Sequence, residues 1–287
     1  MNTRHFQRIL ALLAALLLIC PLFAADGENA LVITVHAAGH GDMIEIRAPN
    51  GDTSLIDCGS ASSPSARQAV RALPARLRYF IASHPHEDHI GNCALAASRA
   101  DIIVDGGLES PEHAQAELYA LAARGKRFIF AEAGMSLDLG GGVRLEILSP
   151  ARDFLRGTNS DPNNNSIVCM LRYGRFRMLF TGDIEMDGIE TLLLRKPDLG
   201  CDVIKVPHHG SRGSLDMRFI KALGAKYAVV SAAPDDAREG HGLPHEDVVR
   251  AYRNAGTEVF VTGRHGKIQI TAGDEEWTVE STVKPLS

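Results

Sequence analysis

The sequence predicts an α/β protein built as a four-layer α/β/β/α sandwich. Three observations support this architecture. Short runs of alternating apolar residues open the chain, strand-and-helix units follow them, and the same order is repeated in the second half. Strands that alternate with helices pair in parallel and carry those helices on a face of the sheet. Two β-rich halves with outward helices would therefore pack sheet against sheet.

In the first half, alternating apolar and β-branched residues predict strands, and the Asn50-Gly51 pair predicts a tight hairpin between two of them. Apolar residues at helical spacing predict helices, and Pro111 stands near the first turn of one of them. The predicted strands are 30–36, 43–47, 53–57, 78–83, 102–105, 127–131, 136–139 and 143–148, and the predicted helices are 66–73, 90–99 and 111–124.

The second half begins with a polar loop at 158–165 and a hairpin that turns at Gly174-Arg175. Strands and helices then alternate before three closing strands. The predicted strands are 166–173, 176–181, 202–206, 227–232, 259–262, 267–271 and 277–280, and the predicted helices are 185–194, 215–223 and 244–254. Because no linker rich in proline, glycine or serine interrupts this order, residues 26–287 are predicted to form a single domain.

The composition is that of a globular protein. Of the 287 residues, 45% are hydrophobic and 23% are charged, which excludes a mainly disordered chain, a coiled coil and a collagen-like fibre. Twelve histidines are many for a chain of this length, and they direct attention to metal binding.

The first 25 residues have the three-part layout of a secretory signal peptide. Arg4 and Arg8 precede the apolar run Ile9–Leu18, Pro21 ends that run, and Ala24 and Ala25 offer a cleavage site. The run is short for a membrane span. The expected location is therefore periplasmic or secreted, with no stable membrane span after cleavage. An uncleaved anchor is the alternative.

The net charge of the chain limits the expected partners. Loss of residues 1–25 removes two arginines and changes the formal charge from −5 to −7. This balance does not support a dedicated nucleic-acid binder, although it leaves a local basic patch open.

Four cysteines would remain after loss of residues 1–25, at positions 58, 93, 169 and 201. We expect them to be free and buried.

The dominant signal is the segment Ser83–Gly91, which follows a predicted strand. It holds four candidate metal ligands within six residues: His84, His86, Asp88 and His89. His84 and His86 alternate, so in an extended segment their side chains point the same way. Imidazole and carboxylate ligands suit Zn²⁺ and also Mn²⁺ or Fe²⁺.

This His-x-His-x-Asp-His pattern resembles the signature of the metallo-β-lactamase-fold hydrolases. Three further motifs, one before this segment and two after it, match the family's motifs in the same order along the chain. Asp57 is similar to the aspartate that orients the histidine loop from behind the ligands, and Asp183 to the aspartate that bridges two metals. His208 and His209 are similar to the late histidine motif.

The amino-acid sequences of these motifs resemble those of the ComEC-type (competence protein C-terminal) subfamily over residues 31–272. The matching segments are Gly39-His40-Gly41-Asp42, with histidine where the subfamily has glutamine, Asn164-Asn165-Ser166, 205–211 and 244–248. ComEC is a DNA-uptake channel, and no channel domain is seen here. The chain is thus expected to be a stand-alone exported relative.

The resemblance implies two divalent metal ions, zinc or manganese. His84, His86 and Asp183 would hold the first ion. Asp88, His89, Asp183 and one of the late pair would hold the second. Sequence does not decide between His208 and His209; we assign His208 to the metal and His209 to stabilising a substrate oxyanion.

Family members with a full two-zinc site use a further histidine between the histidine-rich segment and the bridging aspartate. Here that interval contains only His113, on a predicted helix, and Asn164-Asn165-Ser166 takes its place. Asn165 is assigned a catalytic role beside Asp88, which would orient the attacking hydroxide. The candidate substrate contacts are His40, Ser166, Ser211 and His245.

The implied activity is hydrolysis of a phosphoester or phosphodiester by a metal-bound hydroxide, in the manner of a nuclease or phosphodiesterase. The alternative is a carbonyl substrate such as a β-lactam, lactone or thioester. A metal-binding module without catalysis is a third reading. A small-molecule or phosphodiester substrate is the expected partner, nucleic acid stays open, and sequence does not give the oligomeric state.

Overall fold

A computed structural model describes residues 30–195, 198–234, 242–273 and 275–283. Two mixed β-sheets face one another, and helices cover the outer face of each. This arrangement confirms the predicted four-layer sandwich. The predicted signal peptide, residues 1–25, lies outside the described residues.

The first sheet has eight strands in the order β15-β14-β1-β2-β3-β4-β5-β6. Strands β3 to β6 run parallel to one another, and the remaining neighbours are antiparallel. The strands are β1 Leu31–Val35, β2 Ile44–Arg47, β3 Thr53–Ile56, β4 Leu77–Ala82, β5 Ala100–Asp105, β6 Arg127–Phe130, β14 Ile268–Ala272 and β15 Trp277–Ser281.

The second sheet has seven strands in the order β13-β12-β11-β10-β9-β8-β7. Here β10 to β13 are parallel, and β7 to β10 form an antiparallel meander. The strands are β7 Ser136–Gly140, β8 Val143–Ser149, β9 Val168–Tyr173, β10 Phe176–Phe180, β11 Val203–Lys205, β12 Tyr227–Val230 and β13 Glu258–Val261.

The helices divide between the two outer layers. The described helices are α1 Pro64–Ala72, α2 Glu87–Ile90, α3 Cys93–Ser98, α4 His113–Ala123, α5 Asp161–Asn164, α6 Met186–Arg195, α7 Met217–Leu223, α8 Glu246–Asn254 and α9 Thr262–His265. Residues of α1, α3 and α4 pack on the first sheet, and those of α6, α7 and α8 pack on the second. Within the described residues, no helix is long and apolar enough to cross a membrane.

Three apolar layers hold the sandwich together. The largest lies between the sheets and joins side chains such as Ile33, Ile46 and Ile81 of the first sheet to Leu145, Leu171 and Phe180 of the second. A separate layer lies under each set of helices. The four described cysteines are free and buried in these layers, which confirms the expectation for them.

Two predicted elements differ in detail. The helix predicted at 90–99 is two short helices, α2 and α3, because the chain bends at Gly91 and Asn92. The loop predicted at 158–165 contains α5, which Ser160 caps by accepting a hydrogen bond from the Asn163 amide. Its neighbouring asparagines favour such local side-chain bonds.

Candidate metal centre

The polar side chains singled out in the sequence follow parallel strands at one edge of the sandwich. Asp57 follows β3, and the histidine-rich segment follows β4. Asp183 follows β10, and the pair His208 and His209 follows β11. Since the carboxyl ends of parallel strands meet at one edge, both sheets deliver polar groups to the same place. Binding sites of open α/β sheets commonly occupy this position.

Four of these residues form a compact group, which we call the ligand cluster: Asp88, His89, Asp183 and His209. The two Nε2 atoms of His89 and His209 lie 3.2 Å apart, and each is 3.2 Å from Asp183 Oδ2. Asp88 Oδ2 lies 3.6 Å from His89 Nε2 and 3.4 Å from His209 Nε2. Four ligand atoms thus surround one point.

These separations suit a tetrahedral metal ion. Ligands that bind zinc at about 2.0–2.1 Å in a tetrahedron are separated from one another by about 3.4 Å. Five of the six observed separations run from 3.2 to 3.6 Å, and all four ligand atoms lie within 4.8 Å of one another. Asp183 Oδ1 is buried without a hydrogen-bond partner among the described residues, so it too is free to bind a cation. The donor set and its spacing therefore fit a divalent metal.

The second nitrogen of each ring has a partner of its own. His89 Nδ1 lies 2.8 Å from Asp57 Oδ2, and His209 Nδ1 lies 2.9 Å from the Ser231 carbonyl oxygen. A carbonyl oxygen only accepts, so His209 donates from Nδ1 and its Nε2 faces the cluster. Metal-binding histidines are usually fixed in this way.

Asp57 also holds the start of the histidine segment. Its carboxylate accepts hydrogen bonds from the Ser83 amide at 2.7 Å and the Ser83 hydroxyl at 2.6 Å. Burial raises the pKa of Asp57, although His89 acts in the opposite direction. The carboxyl group therefore orients both the backbone after β4 and the ring of His89.

A buried ion pair lies behind the cluster, and the sequence analysis did not assign it. Lys205 Nζ is 2.7 Å from Asp42 Oδ2, and both side chains are excluded from solvent. Asp42 also lies 3.9 Å from Nδ1 of both His89 and His209. Both residues stand inside the quoted motifs, and a lysine in an apolar strand next to His208 and His209 was the available signal.

Charge in the cluster favours cations. Burial alone would lower the pKa of His209, but the Asp183 carboxylate raises it to about 9. For His89 burial acts in the same direction, yet Asp183 and Asp88 raise its pKa well above the usual value. Burial would raise the pKa of Asp183, but His209 and His89 hold it well below its ordinary range. Without metal, bound protons supply the positive charge that these carboxylates attract.

Backbone strain is concentrated here. Among the described residues, positive φ at a residue other than glycine occurs at Asp57, His208 and His209, with values of 56°, 46° and 51°. Such conformations cost about 1–3 kcal/mol each and cluster at functional sites. Gly41 permits the close approach of the Asp88 loop, since a Cβ there would lie 1.9 Å from the Asp88 carbonyl oxygen.

His84 and His86 form a second, looser group, which we call the histidine pair. His84 Nε2 lies 3.0 Å from His86 Nδ1 and 4.0 Å from Asp183 Oδ2. His84 Nδ1 is 3.1 Å from the Ser83 hydroxyl. Burial, with His89 nearby, holds the pKa of His84 well below its usual value, so the ring is neutral and able to bind metal.

The structure exchanges the roles expected for the late histidines. His209 Nε2 lies in the ligand cluster, whereas His208 Nδ1 faces Glu185 Oε1 at 3.2 Å and its Nε2 is 4.0 Å from Asp183. The strained turn after β11 directs two adjacent side chains in different directions. The assignment of His208 to the metal and His209 to the substrate is therefore corrected.

The expected catalytic role of Asn165 is also corrected. Its Nδ2 donates to the carbonyl oxygens of Leu155 at 2.9 Å and Asp161 at 2.7 Å, and its Oδ1 accepts from the Leu155 amide at 2.9 Å. The side chain is thus fully used in holding the loop around α5, and it has no amide hydrogen left for a substrate.

Ser166, a candidate substrate contact, serves the site from inside. It is fully buried, and its hydroxyl accepts a hydrogen bond from the Asp183 amide at 3.1 Å. A buried side chain is not available to substrate, so this expectation is corrected. Ser166 instead positions the carboxylate that both histidine rings of the ligand cluster approach.

The other three candidate contacts lie around the cluster. His40 packs its ring against His209, with centroids 4.5 Å apart, and its Nε2 is 3.7 Å from Asp88 Oδ2. Ser211 accepts a hydrogen bond from the Gly213 amide, and His245 Nδ1 accepts one from the Arg212 amide. Substrate contact by these residues stays a prediction.

Comparison with known proteins agrees with this geometry. The model of the Metallo-beta-lactamase superfamily matches residues 37–233. "ComE operon protein 3" of Bacillus subtilis (strain 168) is 27% identical over 276 residues, which cover 88% of this chain and 34% of that protein. "Competence protein ComA" of Neisseria gonorrhoeae is 30% identical over 254 residues, 86% of this chain and 33% of that one.

The chain thus spans about a third of the length of these two curated relatives. Among solved structures, the metallo-beta-lactamase fold protein YhfI from Bacillus subtilis superposes with a TM-score of 0.56 at 15% identity, covering 85% of this chain and all of that one. At this identity the likeness shows the fold alone. From the family match, the chain belongs to the metallo-beta-lactamase superfamily, and it is similar to about a third of each of the two competence-protein relatives.

Proposed function

We propose that this protein is an exported, metal-dependent hydrolase of phosphoester or phosphodiester bonds. The observation that carries the proposal is the ligand cluster, in which four ligand atoms converge while a separate acceptor engages the second nitrogen of each imidazole. Such an arrangement supports metal binding and has no evident structural purpose without it.

Two divalent ions, zinc or manganese, are the proposed cofactors. Asp88, His89, Asp183 and His209 would hold one, and His84, His86 and Asp183 would hold the other. Bound metal supplies an activated water and polarises the scissile phosphoryl oxygen. The protein orients this chemistry: Asp57 and the Ser231 carbonyl oxygen hold the two rings, and the Ser166 hydroxyl holds the Asp183 backbone. His40 and His208 stand beside the cluster, where they would bind substrate oxygens.

The small number of protein ligands at the histidine pair favours a phosphoester substrate over a β-lactam. His113 is the one histidine between His89 and Asp183, and it lies on α4 with 88% of its side chain exposed. The first site would therefore take its protein ligands from His84, His86 and Asp183. Fewer protein ligands leave more positions for the oxygens of a phosphate group.

Export is part of the proposal, with a periplasmic or secreted location. It rests on the basic residues, apolar run and small residues of positions 1–25. N-terminal sequencing of protein recovered from the periplasm or medium tests it. A chain that starts near Ala24 or Ala25 is expected, and an intact Met1 terminus in that fraction would contradict cleavage.

The hydrolase is tested on purified mature protein. Bound metals are counted by plasma mass spectrometry, and the protein loaded with Zn²⁺ or Mn²⁺ is assayed on bis-p-nitrophenyl phosphate beside nitrocefin. We expect close to two metals and turnover of the phosphodiester. Turnover of nitrocefin alone would favour the carbonyl-hydrolase alternative, and metal with neither activity would contradict the proposal.

Asp183→Asn is the decisive variant, because this carboxylate approaches both groups of ligands. It should lower kcat/KM about a hundred- to a thousandfold, the scale seen when one strong transition-state contact is removed. Asp187→Asn is the matched control, since Asp187 is an exposed carboxylate four residues later. Retained activity in a folded Asp183→Asn protein would end the phosphoesterase proposal.

A further inference from the structure

An aromatic pocket lies on the same edge of the sandwich as the ligand cluster. Its cavity is about 260 Å³, and its lining includes Gly106, Gly107, Phe130, Arg152 and Phe154. Gly106 and Gly107 follow β5, Phe130 ends β6, and Arg152 and Phe154 follow β8. None of these residues has a part in the metal centre described above.

Topology places this pocket beside the metal ligands. Strands β4, β5 and β6 are parallel neighbours, so the segments that follow them are arranged side by side. Neighbouring strands are about 4.8 Å apart, which brings the end of β5 about one strand, and the end of β6 about two strands, from the start of the histidine segment.

A chain of contacts joins the pocket floor to a metal ligand. Gly106 faces Ile167 and the Asn165 carbonyl oxygen, since a Cβ at that glycine would lie 3.7 and 3.6 Å from them. The Ile167 amide donates to the Ser83 carbonyl oxygen at 2.7 Å, and the Ser83 hydroxyl lies 3.1 Å from His84 Nδ1. A short series of contacts thus connects the lining of the pocket to the histidine pair.

Phe130 is the exposed ring of this pocket. It is 59% exposed, which is unusual for so large an apolar side chain. Its position is nevertheless fixed. Phe128 packs against it edge to face at 5.1 Å, and a Cβ at Gly107 would lie 2.9 Å from its ring. A rigid, open aromatic face loses little entropy when it binds another ring.

The rest of the lining favours a planar ring over a polyanion. Arg152 is exposed and, within the described chain, takes part in no ion pair. Glu132 also lines the pocket, so its formal charges balance. Arg156 lies over the Phe154 ring at 5.6 Å and adds a second stacked surface. Aromatic faces beside arginine are the means by which proteins stack planar groups.

We infer that the pocket formed by Phe130, Phe154 and Arg152 binds a planar ring carried on the substrate beside the ester that the metal centre cleaves. The ring would be a nucleobase or a simple aryl group, since both present the same flat face. Phe130 is then a specificity-determining residue. The inference rests on the proposed phosphoesterase function and adds the substrate group that this site would select.

Three esters with one leaving group that has no ring test it: the hexafluoroisopropyl phosphodiesters of thymidine, phenol and methanol, with alcohol release followed by fluorine NMR. The methyl ester then carries no ring. In the wild type, kcat/KM should be highest for a ring-bearing ester. Phe130→Ala should lower that value about 5- to 150-fold, from about 1–3 kcal/mol per stacked base, and leave kcat/KM for the methyl ester unchanged. The arm that responds more, thymidine or phenyl, identifies the ring.

Leu194→Ala is the matched control, because Leu194 on α6 is exposed, apolar and outside the pocket. Equal losses on all three esters, or no loss on any, would overturn the inference while turnover itself upholds the proposed function. If the wild type cleaves none of them, the function fails separately. Titration calorimetry with thymidine 5′-monophosphate and phenyl phosphate then decides: binding weakened by Phe130→Ala supports the pocket, and absence of binding overturns it.

Discussion

The ligand cluster and the histidine pair lie side by side but are supported very differently. In the cluster, the two rings are fully buried and their Nδ1 atoms contact Asp57 and Ser231. In the pair, His84 has Ser83 behind it, whereas His86 is half-buried, and among the described residues its side chain hydrogen-bonds only with His84. The side chains of the ligand cluster are therefore held in place before metal binds, whereas those of the histidine pair can adjust their positions.

This difference predicts that the two sites bind their ions with different strength. Ligands that neighbouring groups hold in place lose less conformational entropy on binding, so the cluster should hold its metal more tightly. The pair should hold a weaker, exchangeable metal that needs substrate oxygens to complete its coordination. The following changes break or sharpen that contrast.

The largest effect is expected at the ion pair behind the cluster. Lys205→Met leaves Asp42 buried without its partner, which should destabilise the protein by about 3–5 kcal/mol. Denaturant unfolding of metal-free protein measures the loss. The double variant Asp42→Asn, Lys205→Met should recover much of it, and unchanged stability in the single variant would show that the pair does not support the cluster.

Removing a cluster ligand should cost nearly as much. His209→Gln is expected to weaken the tight metal by roughly a hundred- to a thousandfold, a quarter of the about 10–16 kcal/mol that a structural zinc contributes. His208→Gln, which alters the adjacent residue, should leave the tight metal in place, and His86→Gln should remove only the exchangeable one. Competition with a chromogenic chelator measures all three. Equal effects at 208 and 209 would contradict the corrected assignment.

A smaller change is expected from the residue behind His89. Asp57→Asn keeps the size of the side chain and removes its charge, so the ring of His89 loses its orienting carboxylate. Partners of this type are worth about 10- to 100-fold in metal affinity. The same competition assay applies, with Asp52→Asn as a control at a carboxylate near the opposite edge. An unaffected cluster would show that Ser83 alone orients the segment.

The dependence of metal affinity on pH should be no larger than that effect. The pKa of His209 is raised to about 9 in the metal-free protein, so at pH 7 the ring holds a proton that metal must displace. Apparent metal affinity should therefore rise from pH 7 to pH 9, by up to about tenfold per unit for one proton, and flatten above pH 9. Isothermal titration in two buffers of different ionisation enthalpy counts the protons. A flat profile would contradict the assignment of His209 to the cluster.

Much of the fold could be read from the sequence because its signals are local. Alternating runs, the Asn50-Gly51 turn and the strand-and-helix order predicted nearly every element within a few residues. The two-helix break at Gly91 and Asn92 could not be read, since single glycines also occur inside helices. The motif residues Asp57, His84, Asp88, His89 and Asp183 were likewise visible, since each of them follows a strand or belongs to a cluster within a few positions.

By itself, the sequence determined the class of fold, the ligand types and the segments that supply them, because periodicity and motif spacing act over a few residues. Only the tertiary structure decided which late histidine enters the cluster, that Asn165 and Ser166 serve the protein interior, and that Asp42 pairs with Lys205. Those facts depend on side-chain direction across two sheets and on burial. Both arise from contacts between residues distant in the chain, where spacing carries no information.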